Sequence, residues 1–177
     1  MNTNERIEPL ITAEQLHIRI AELAAEINKD YAGKSILLLG TLKGAYIFMA
    51  DLSRQITQTA EIDFLKVSSY GDSTSPTSQV KFDQAPSIQL AGKHVLLLED
   101  IVDTGHTLAF LREYLESQNP ASLRVCTLLD KPERREAELP PCEYLGFSIP
   151  DKFVVGYGLD YAQRYRNLPF VGVLHFD

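Results

Sequence analysis

The sequence predicts an α/β fold in which a mostly parallel, twisted sheet is flanked by helices. Short, wholly apolar runs at 36–39 and 95–98 are typical of parallel strands that are covered on both faces. Helical patterns alternate with these and further strand-like runs, and this alternation implies right-handed crossover connections. Ligands of such sheets bind beyond the carboxyl ends of the strands. We therefore look for functional residues at those ends.

The first half of the chain follows this pattern in order. Thr12 and Gln15 form a capping-box pattern, so an amphipathic helix is predicted from about 13 to 29. Further along we predict a strand, a loop, a helix and a second strand, at 36–39, 40–44, 45–56 and 62–67.

A change of composition marks the middle of the chain. Residues from about 68 to 79 are rich in Ser, Thr, Gly, Asp and Pro, so this stretch is a mobile functional loop or a plain linker. Strand-like pieces at 80–82 and 88–90 predict a hairpin flanking it. The remaining predicted elements are a helix at 107–117 and strands at 95–98, 123–129, 144–149 and 153–155. We find no repeat and no domain linker, so residues 1–177 form one domain.

Composition limits the kinds of partner. The 177 residues are 45% hydrophobic and 23% charged, with a net charge of −7. That charge argues against binding to nucleic acid or to an anionic membrane, which needs clustered Lys and Arg, but allows a small phosphate-bearing substrate. Cys126 and Cys142 are interpreted as reduced thiols. With no apolar run of signal-peptide or membrane-spanning length, we predict a cytoplasmic protein that binds no membrane.

The most informative segment is VLLLEDIVDTGHTL, residues 95–108. A buried strand ends in the acids Glu99 and Asp100, and a loop at 103–107 then opens a helix. Backbone N–H groups at a helix start, two hydroxyls and a glycine are what a phosphate monoester needs. A simple turn with an Asp or Thr N-cap is the alternative reading of the loop alone. The combination of strand, two acids and helix-opening loop favours phosphate binding.

This segment resembles the phosphoribosyl-pyrophosphate motif of the type I phosphoribosyltransferases, in particular of their hypoxanthine-guanine branch. Four more segments resemble that branch, namely LKGAYIFMADL (42–52), SSY (68–70), LLDKPERR (128–135) and IPDKFVVGYGLDYAQRYRNLP (149–169). The resemblance implies the fold of that family with a mobile loop at about 68–83. It also implies a small hood region, built from the N-terminal segment and about 130–170.

The same resemblance implies a function in purine salvage. The chain would transfer the 5-phosphoribosyl group from phosphoribosyl pyrophosphate to hypoxanthine, and to guanine, giving IMP or GMP and pyrophosphate. Mg²⁺ would be the cofactor, and the assembly a homodimer or homotetramer. Asp103 would be the general base of the reaction. Asp160 would bind the metal directly, and Glu99 and Asp100 would meet it directly or through its waters.

The resemblance also assigns residues to parts of the substrates. Glu99 and Asp100 would hold the ribose hydroxyls, while Lys43, Gly44 and Arg166 would contact pyrophosphate, with a cis peptide bond between Leu42 and Lys43. Ser69 and Tyr70 would begin the mobile loop. The cradle of the 5′-phosphate would consist of Thr104, Gly105, His106 and Thr107, where His106 departs from the Lys or Asn that relatives often carry. The purine would meet Lys131, Phe153 and Val154.

Three other functions remain possible from the sequence. A pyrimidine-pathway regulator of the same fold would bind RNA, but it needs a basic face that the net charge of −7 disfavours. A dinucleotide-binding dehydrogenase would carry G-x-G-x-x-G after the first strand, and residues 40–44 have the wrong spacing. An adenine- or xanthine-specific transferase differs only in the choice of base, which we assign to Lys131.

Overall fold

The computed structural model describes residues 5–70 and 79–176. Nine strands, three helices and one 3₁₀ turn occur in these two ranges. In chain order they are β1 (Glu5–Ile11), α1 (Ala13–Asp30), β2 (Ile36–Leu42), α2 (Tyr46–Ser53), β3 (Ala60–Tyr70), β4 (Gln79–Gln84), β5 (His94–Val102), α3 (His106–Ser117), β6 (Ser122–Asp130), the 3₁₀ turn (Pro132–Arg134), β7 (Tyr144–Ser148), β8 (Val154–Val155) and β9 (Val171–Phe176).

The main sheet has six strands in the order β4-β3-β2-β5-β6-β7. Strands β3, β2, β5, β6 and β7 run parallel, and β4 closes one edge in the antiparallel direction. The apolar residues of β2 and β5 are buried because helices cover both faces of the sheet. The predicted α/β fold with a mostly parallel sheet is confirmed.

Two hydrophobic clusters lie on opposite faces of this sheet. Buried residues of α1 and α2 pack with Ile36 and Leu38 of β2, whereas those of α3 pack with Leu37 and Leu39. This alternation is what a strand buried on both sides requires. Helix α1 begins with the predicted capping box, in which the Thr12 hydroxyl accepts from the Gln15 backbone and the Gln15 side chain accepts from the Thr12 backbone.

A second sheet of three strands has the order β1-β9-β8 and is antiparallel throughout. We call it the hood sheet. The N-terminal segment belongs to it, as the resemblance implied. Its central strand β9, however, lies at Val171–Phe176, beyond the predicted end of the hood at about 170, and was not predicted as a strand.

Several element bounds differ from those predicted. Strand β2 continues to Leu42, so Gly40–Leu42 is strand rather than loop, and α2 ends at Ser53. The prediction of a strand at 88–90 was wrong. The backbone N–H groups of Ser87 and Ile88 donate to the Asp63 carboxylate rather than to the backbone of a neighbouring strand. The hairpin consists of β3 and β4, so the segment predicted as a loop at about 68–83 begins and ends in strand, and its residues 71–78 lie outside the described ranges.

Candidate active site

A cavity of about 500 Å³ lies at the carboxyl ends of the central strands. It is bounded by the ends of β2, β3 and β5 and by the start of α3, which is where ligands of parallel sheets gather. Its lining residues are Thr41, Val67, Ser68, Glu99, Asp100, Ile101, Val102, Asp103, Thr104, Gly105, Thr107 and Leu108. The structure therefore brings both acids and most of the predicted phosphate loop to one opening.

Two neighbouring acids form the floor of this cavity. They lie inside β5 rather than after it, since the strand continues to Val102. Glu99 is 4% exposed, and its Oε1 has no hydrogen-bond partner among the described residues. Burial, and then the charge of Asp100, raises the pKa of Glu99 to about 8. Burial of the Asp100 carboxyl raises its pKa to about 6, although the Ile101 N–H donates to it at 2.8 Å.

The chemistry of this acidic pair suits a ligand with hydroxyl groups or a cation. A buried carboxyl oxygen without a donor costs free energy, which hydroxyl groups or a cation could recover. If a cation bound there, the Glu99 carboxyl would ionise and release a proton. Oxygen donors at this position suit a hard cation and the hydroxyls of a sugar.

The loop at 103–107 leads directly from β5 into α3. Gly105 is the N-cap residue and has φ +92°, a left-handed backbone that disfavours other residues. A Cβ atom there would also lie 2.8 Å from Leu139 Cδ1. Thr104, Gly105 and Thr107 line the cavity at the start of α3, where backbone N–H groups and hydroxyls could bind an anion.

The side chain of His106, unlike the residues on either side of it in the loop, lies against Glu136. Its Nε2 lies 3.0 Å from Glu136 Oε2, and the residue is not among those that line the cavity. Only the backbone of His106 is therefore available to an anion in the cradle. The identity of the side chain at this position therefore matters little to such a contact.

Lys43 and Gly44 follow β2 beside the acids. The peptide bond between Leu42 and Lys43 is cis, as the resemblance implied. Gly44 lies against Asp100 so closely that a Cβ on it would be 1.4 Å from Asp100 Oδ2. Lys43 Nζ donates to Gln163 Oε1 at 3.1 Å, which connects this loop to the segment that follows β8.

Asp160 and Arg166 meet in that same segment. Arg166 Nη2 lies 2.7 Å from Asp160 Oδ1 and donates to Gln163 Oε1 at 3.3 Å, and Arg166 Nη1 donates to the Gly158 carbonyl at 2.6 Å. Burial is the main reason why the pKa of Asp100 is raised; of the two charges in this segment, Arg166 lowers that pKa and Asp160 raises it by less. Gln163, which bridges Lys43 and Arg166, was missed at the sequence level because a lone Gln carries no motif.

The predicted metal ligands are not gathered into a preformed cage. Within residues 5–70 and 79–176, no group of three or more His, Cys, Asp and Glu side chains could hold a metal ion. Mg²⁺ commonly binds to one or two carboxylates and otherwise to water and substrate phosphates. The orphaned Glu99 oxygen and the neighbouring Asp100 and Asp160 fit an ion of that kind.

The predicted purine contacts lie at the end of β6 and beside the hood sheet. Lys131 is 7% exposed, its backbone N–H donates to the Val102 carbonyl at 2.9 Å, and its Nζ lies 3.6 Å from Asp151 Oδ1. Phe153 is 51% exposed, and the Tyr161 ring meets it edge-on at 5.8 Å between centroids. Val154 is buried in β8, so only its backbone could meet a ligand.

Asp103 lies at the mouth of the cavity, where it is paired. Arg134 Nε donates to its Oδ1 at 3.1 Å, and Arg135 Nη1 donates to its backbone carbonyl at 3.3 Å. The contact of Arg134 with Asp103 was not predicted from sequence patterns. Ser69 and Tyr70 end β3, and their side chains lie outside the part of the chain that the structure describes.

The chain is similar to known proteins along most of its length. Residues 10–162 match the family model of the phosphoribosyl transferase domain. The chain is 50% identical over 169 residues to the hypoxanthine phosphoribosyltransferase of Haemophilus influenzae, with 94% of each covered. It is 46% identical over 165 residues to the hypoxanthine-guanine phosphoribosyltransferase of Bacillus subtilis, covering 93% of this chain and 91% of that protein.

A crystal structure of a hypoxanthine-guanine phosphoribosyltransferase from Bacillus anthracis matches with a TM-score of 0.90 at 44% identity. The match covers 97% of this chain and 99% of that chain. The chain therefore belongs to the phosphoribosyl transferase family. Within that family its similarity is to the hypoxanthine and hypoxanthine-guanine members, which confirms the resemblance seen in the sequence.

Proposed function

We propose that the chain transfers the 5-phosphoribosyl group of phosphoribosyl pyrophosphate to hypoxanthine and to guanine, a reaction of purine salvage. One observation carries the proposal: the buried Glu99 and its partly exposed neighbour Asp100 lie beside a phosphate-type loop in one cavity. A sugar phosphate with free hydroxyls satisfies both features, because the hydroxyls donate to the acids and the phosphate accepts from the loop. The names of the relatives from H. influenzae and B. subtilis support the choice of 6-oxopurines.

The leaving group would be held by cations. As the bond from ribose C1′ to pyrophosphate breaks, its electron pair stays on the pyrophosphate. Lys43 and Arg166 would then neutralise the growing negative charge. Bound Mg²⁺ would add positive charge at the same place, held by Asp160 and, directly or through water, by Glu99 and Asp100.

The purine would attack C1′ through N9 while its N7 proton leaves. Asp103, which is among the residues that line the cavity, would accept that proton. Lys131 would donate to O6, and Phe153 would stack on the ring. An ammonium offers only donors and would therefore face the amino group of adenine unfavourably. The loop at about 68–83, including Ser69 and Tyr70, would exclude water from the reaction.

The oligomeric state and the cellular location are also part of this proposal. We expect a homodimer or homotetramer, by similarity to the family. In the described part of the chain, no helix is long and apolar enough to cross a membrane. Both cysteines, Cys126 and Cys142, are free thiols, which supports a reducing, cytoplasmic location.

A base panel tests the function directly. Adenine, guanine, hypoxanthine, xanthine and uracil are each supplied with phosphoribosyl pyrophosphate and Mg²⁺, and nucleotide formation is measured. We expect turnover of hypoxanthine and guanine and almost none of adenine or uracil. Turnover of uracil or adenine in place of the 6-oxopurines would refute the proposed substrate class.

The Asp103→Asn variant tests the general base. We expect kcat to fall by roughly 10²–10⁴-fold, the usual contribution of a positioned base. Nucleotide binding should change little because the phosphate loop stays intact. Glu8→Gln is the matched control, since Glu8 is an exposed carboxylate paired with Arg6 on β1, outside the residues that line the cavity. A near-normal kcat in Asp103→Asn would contradict the base role.

A further inference from the structure

Arg134 contacts the carboxylate that the proposed reaction uses. Its Nε donates to Asp103 Oδ1 at 3.1 Å, and both side chains are close to half exposed. Asp103 Oδ2 accepts no hydrogen bond from the described residues, and Asp103 lines the cavity. One carboxylate oxygen is therefore held while the other is available to a ligand.

The backbone fixes this contact from both sides. Lys131 donates its N–H to the Val102 carbonyl at 2.9 Å, which fastens the 3₁₀ turn to the end of β5. Arg134 in turn donates its N–H to the Lys131 carbonyl at 3.1 Å. Asp103 is the next residue after β5. The arginine and the acid thus project from two chain segments that are hydrogen-bonded to each other.

A second carboxylate, that of Asp151, lies near the guanidinium of Arg134 without a hydrogen bond to it. Arg134 Nη1 lies 3.8 Å from Asp151 Oδ2, and the Asp151 Oδ1 lies 3.6 Å from Lys131 Nζ. Charges of alternating sign therefore run from Asp103 through Arg134 and Asp151 to Lys131. The first and last residues of this row of charges, Asp103 and Lys131, are those assigned to N7 and to O6 of the purine.

We propose that Arg134 is a positioning residue for the proton transfer: it orients the Asp103 carboxylate so that Oδ2 faces the N7 proton of the bound purine. The inference rests on the proposed base role of Asp103. In the step itself the N7–H bond breaks, the proton passes to Oδ2, and the electron pair stays in the purine ring as N9 bonds to C1′. Arg134 remains hydrogen-bonded to Asp103 Oδ1 and contacts neither substrate.

Stability alone does not account for the contact. An exposed ion pair contributes little to the free energy of unfolding, because water screens it and two long side chains lose freedom. A misplaced catalytic group, in contrast, lowers the rate strongly even when the displacement is small. Loss of Arg134 should therefore change the rate far more than the melting temperature.

The test compares Arg134→Gln, Arg134→Lys and the control Arg6→Gln, which removes an exposed arginine of the Arg6–Glu8 ion pair. We expect Arg134→Gln to lower kcat with hypoxanthine by about tenfold, a part of the contribution of a positioned base. The KM for phosphoribosyl pyrophosphate should stay within about twofold, since the phosphate loop is untouched. Arg134→Lys should recover part of the loss, and Arg6→Gln should behave as the unmodified chain.

A double-mutant cycle with Asp103→Asn completes the test. If Arg134 acts through Asp103, then Arg134→Gln should lower kcat by less than about twofold in the Asp103→Asn background. Equal losses in both backgrounds, or a rise in the KM for phosphoribosyl pyrophosphate as the main effect, would overturn the inference. Full activity of Asp103→Asn would refute the base role itself. A loss in Asp103→Asn with an unchanged kcat in Arg134→Gln would refute the positioning role alone.

Discussion

The contact between Gly44 and Asp100 allows a sharp test of how the cavity is built. An alanine Cβ at Gly44 would lie 1.4 Å from Asp100 Oδ2, 2.3 Å from Cγ and 3.1 Å from Cβ. The distances to Oδ2 and to Cγ are both too short for atoms that are not bonded to each other. Because Gly44 does not have a left-handed backbone, the substitution adds no backbone strain, and the clash is its main cost.

Two opposing effects set the change in stability of Gly44→Ala. Overpacking costs about 1–3 kcal/mol, whereas the loss of freedom in the unfolded chain returns about 0.4–1 kcal/mol. The clash therefore exceeds the entropic gain, and we expect a net loss of about 1–2 kcal/mol. Asp100 must also rotate or shift, so kcat/KM for phosphoribosyl pyrophosphate should fall by about 10²-fold.

Urea unfolding and steady-state kinetics measure the two effects separately. Gly33→Ala is the control, since Gly33 has φ +75° and no atom within 4 Å of the added Cβ. It should lose about 1–2 kcal/mol through backbone strain alone, with unchanged kinetics. In an Asp100→Ala background, Gly44→Ala should cost much less stability because the clashing oxygen is gone. Kinetics of Gly44→Ala within about twofold of the unmodified chain would refute the reasoning.

Two further predictions concern Lys131 and Glu99. Lys131→Ala should raise the KM for hypoxanthine by about 10-fold or more while the KM for phosphoribosyl pyrophosphate changes little, and equal changes in both would contradict its role at O6. Since the Glu99 pKa rises from 4.5 to about 8 on folding, the folded chain keeps a proton that the unfolded chain releases. In Mg²⁺-free buffer, the unfolding free energy of the unmodified chain, taken relative to that of Glu99→Gln, should therefore fall as the pH rises from 4.5 to about 8. The fall should reach up to about 1.4 kcal/mol per pH unit and should level off above that range. A difference that does not vary with pH would contradict the burial of this carboxyl.

Local patterns predicted the main sheet because its strands are defined by local composition. The apolar runs beginning at Ile36 and Val95 became the central strands β2 and β5. The acids Glu99 and Asp100 and the loop after them follow one of these runs directly. Their place at the carboxyl end of the sheet follows from the parallel topology alone.

The hood and the bridging contacts could not be predicted in the same way. Strand β9 pairs with β1, whose residues are more than 150 positions away in the sequence, and its run VGVLHF resembles many others. Arg134 contacts Asp103, and Gln163 contacts Lys43, only because distant segments of the chain meet there. A single polar side chain carries no spacing pattern that would indicate such a partner.

The hydrogen-bond partners of Lys43 and Arg166 bear on the proposed role of these two cations in binding pyrophosphate. Both donate to one neutral amide oxygen, Gln163 Oε1, and Arg166 is also paired with Asp160. Hydrogen bonds to a neutral acceptor are weaker than those to an ionised one. If Lys43 and Arg166 hold pyrophosphate as proposed, the diphosphate would replace Gln163 at low cost, and a cation bound at Asp160 would offset the loss of its pairing with Arg166. The same side chains would thus favour binding of pyrophosphate together with a divalent cation over binding of either alone.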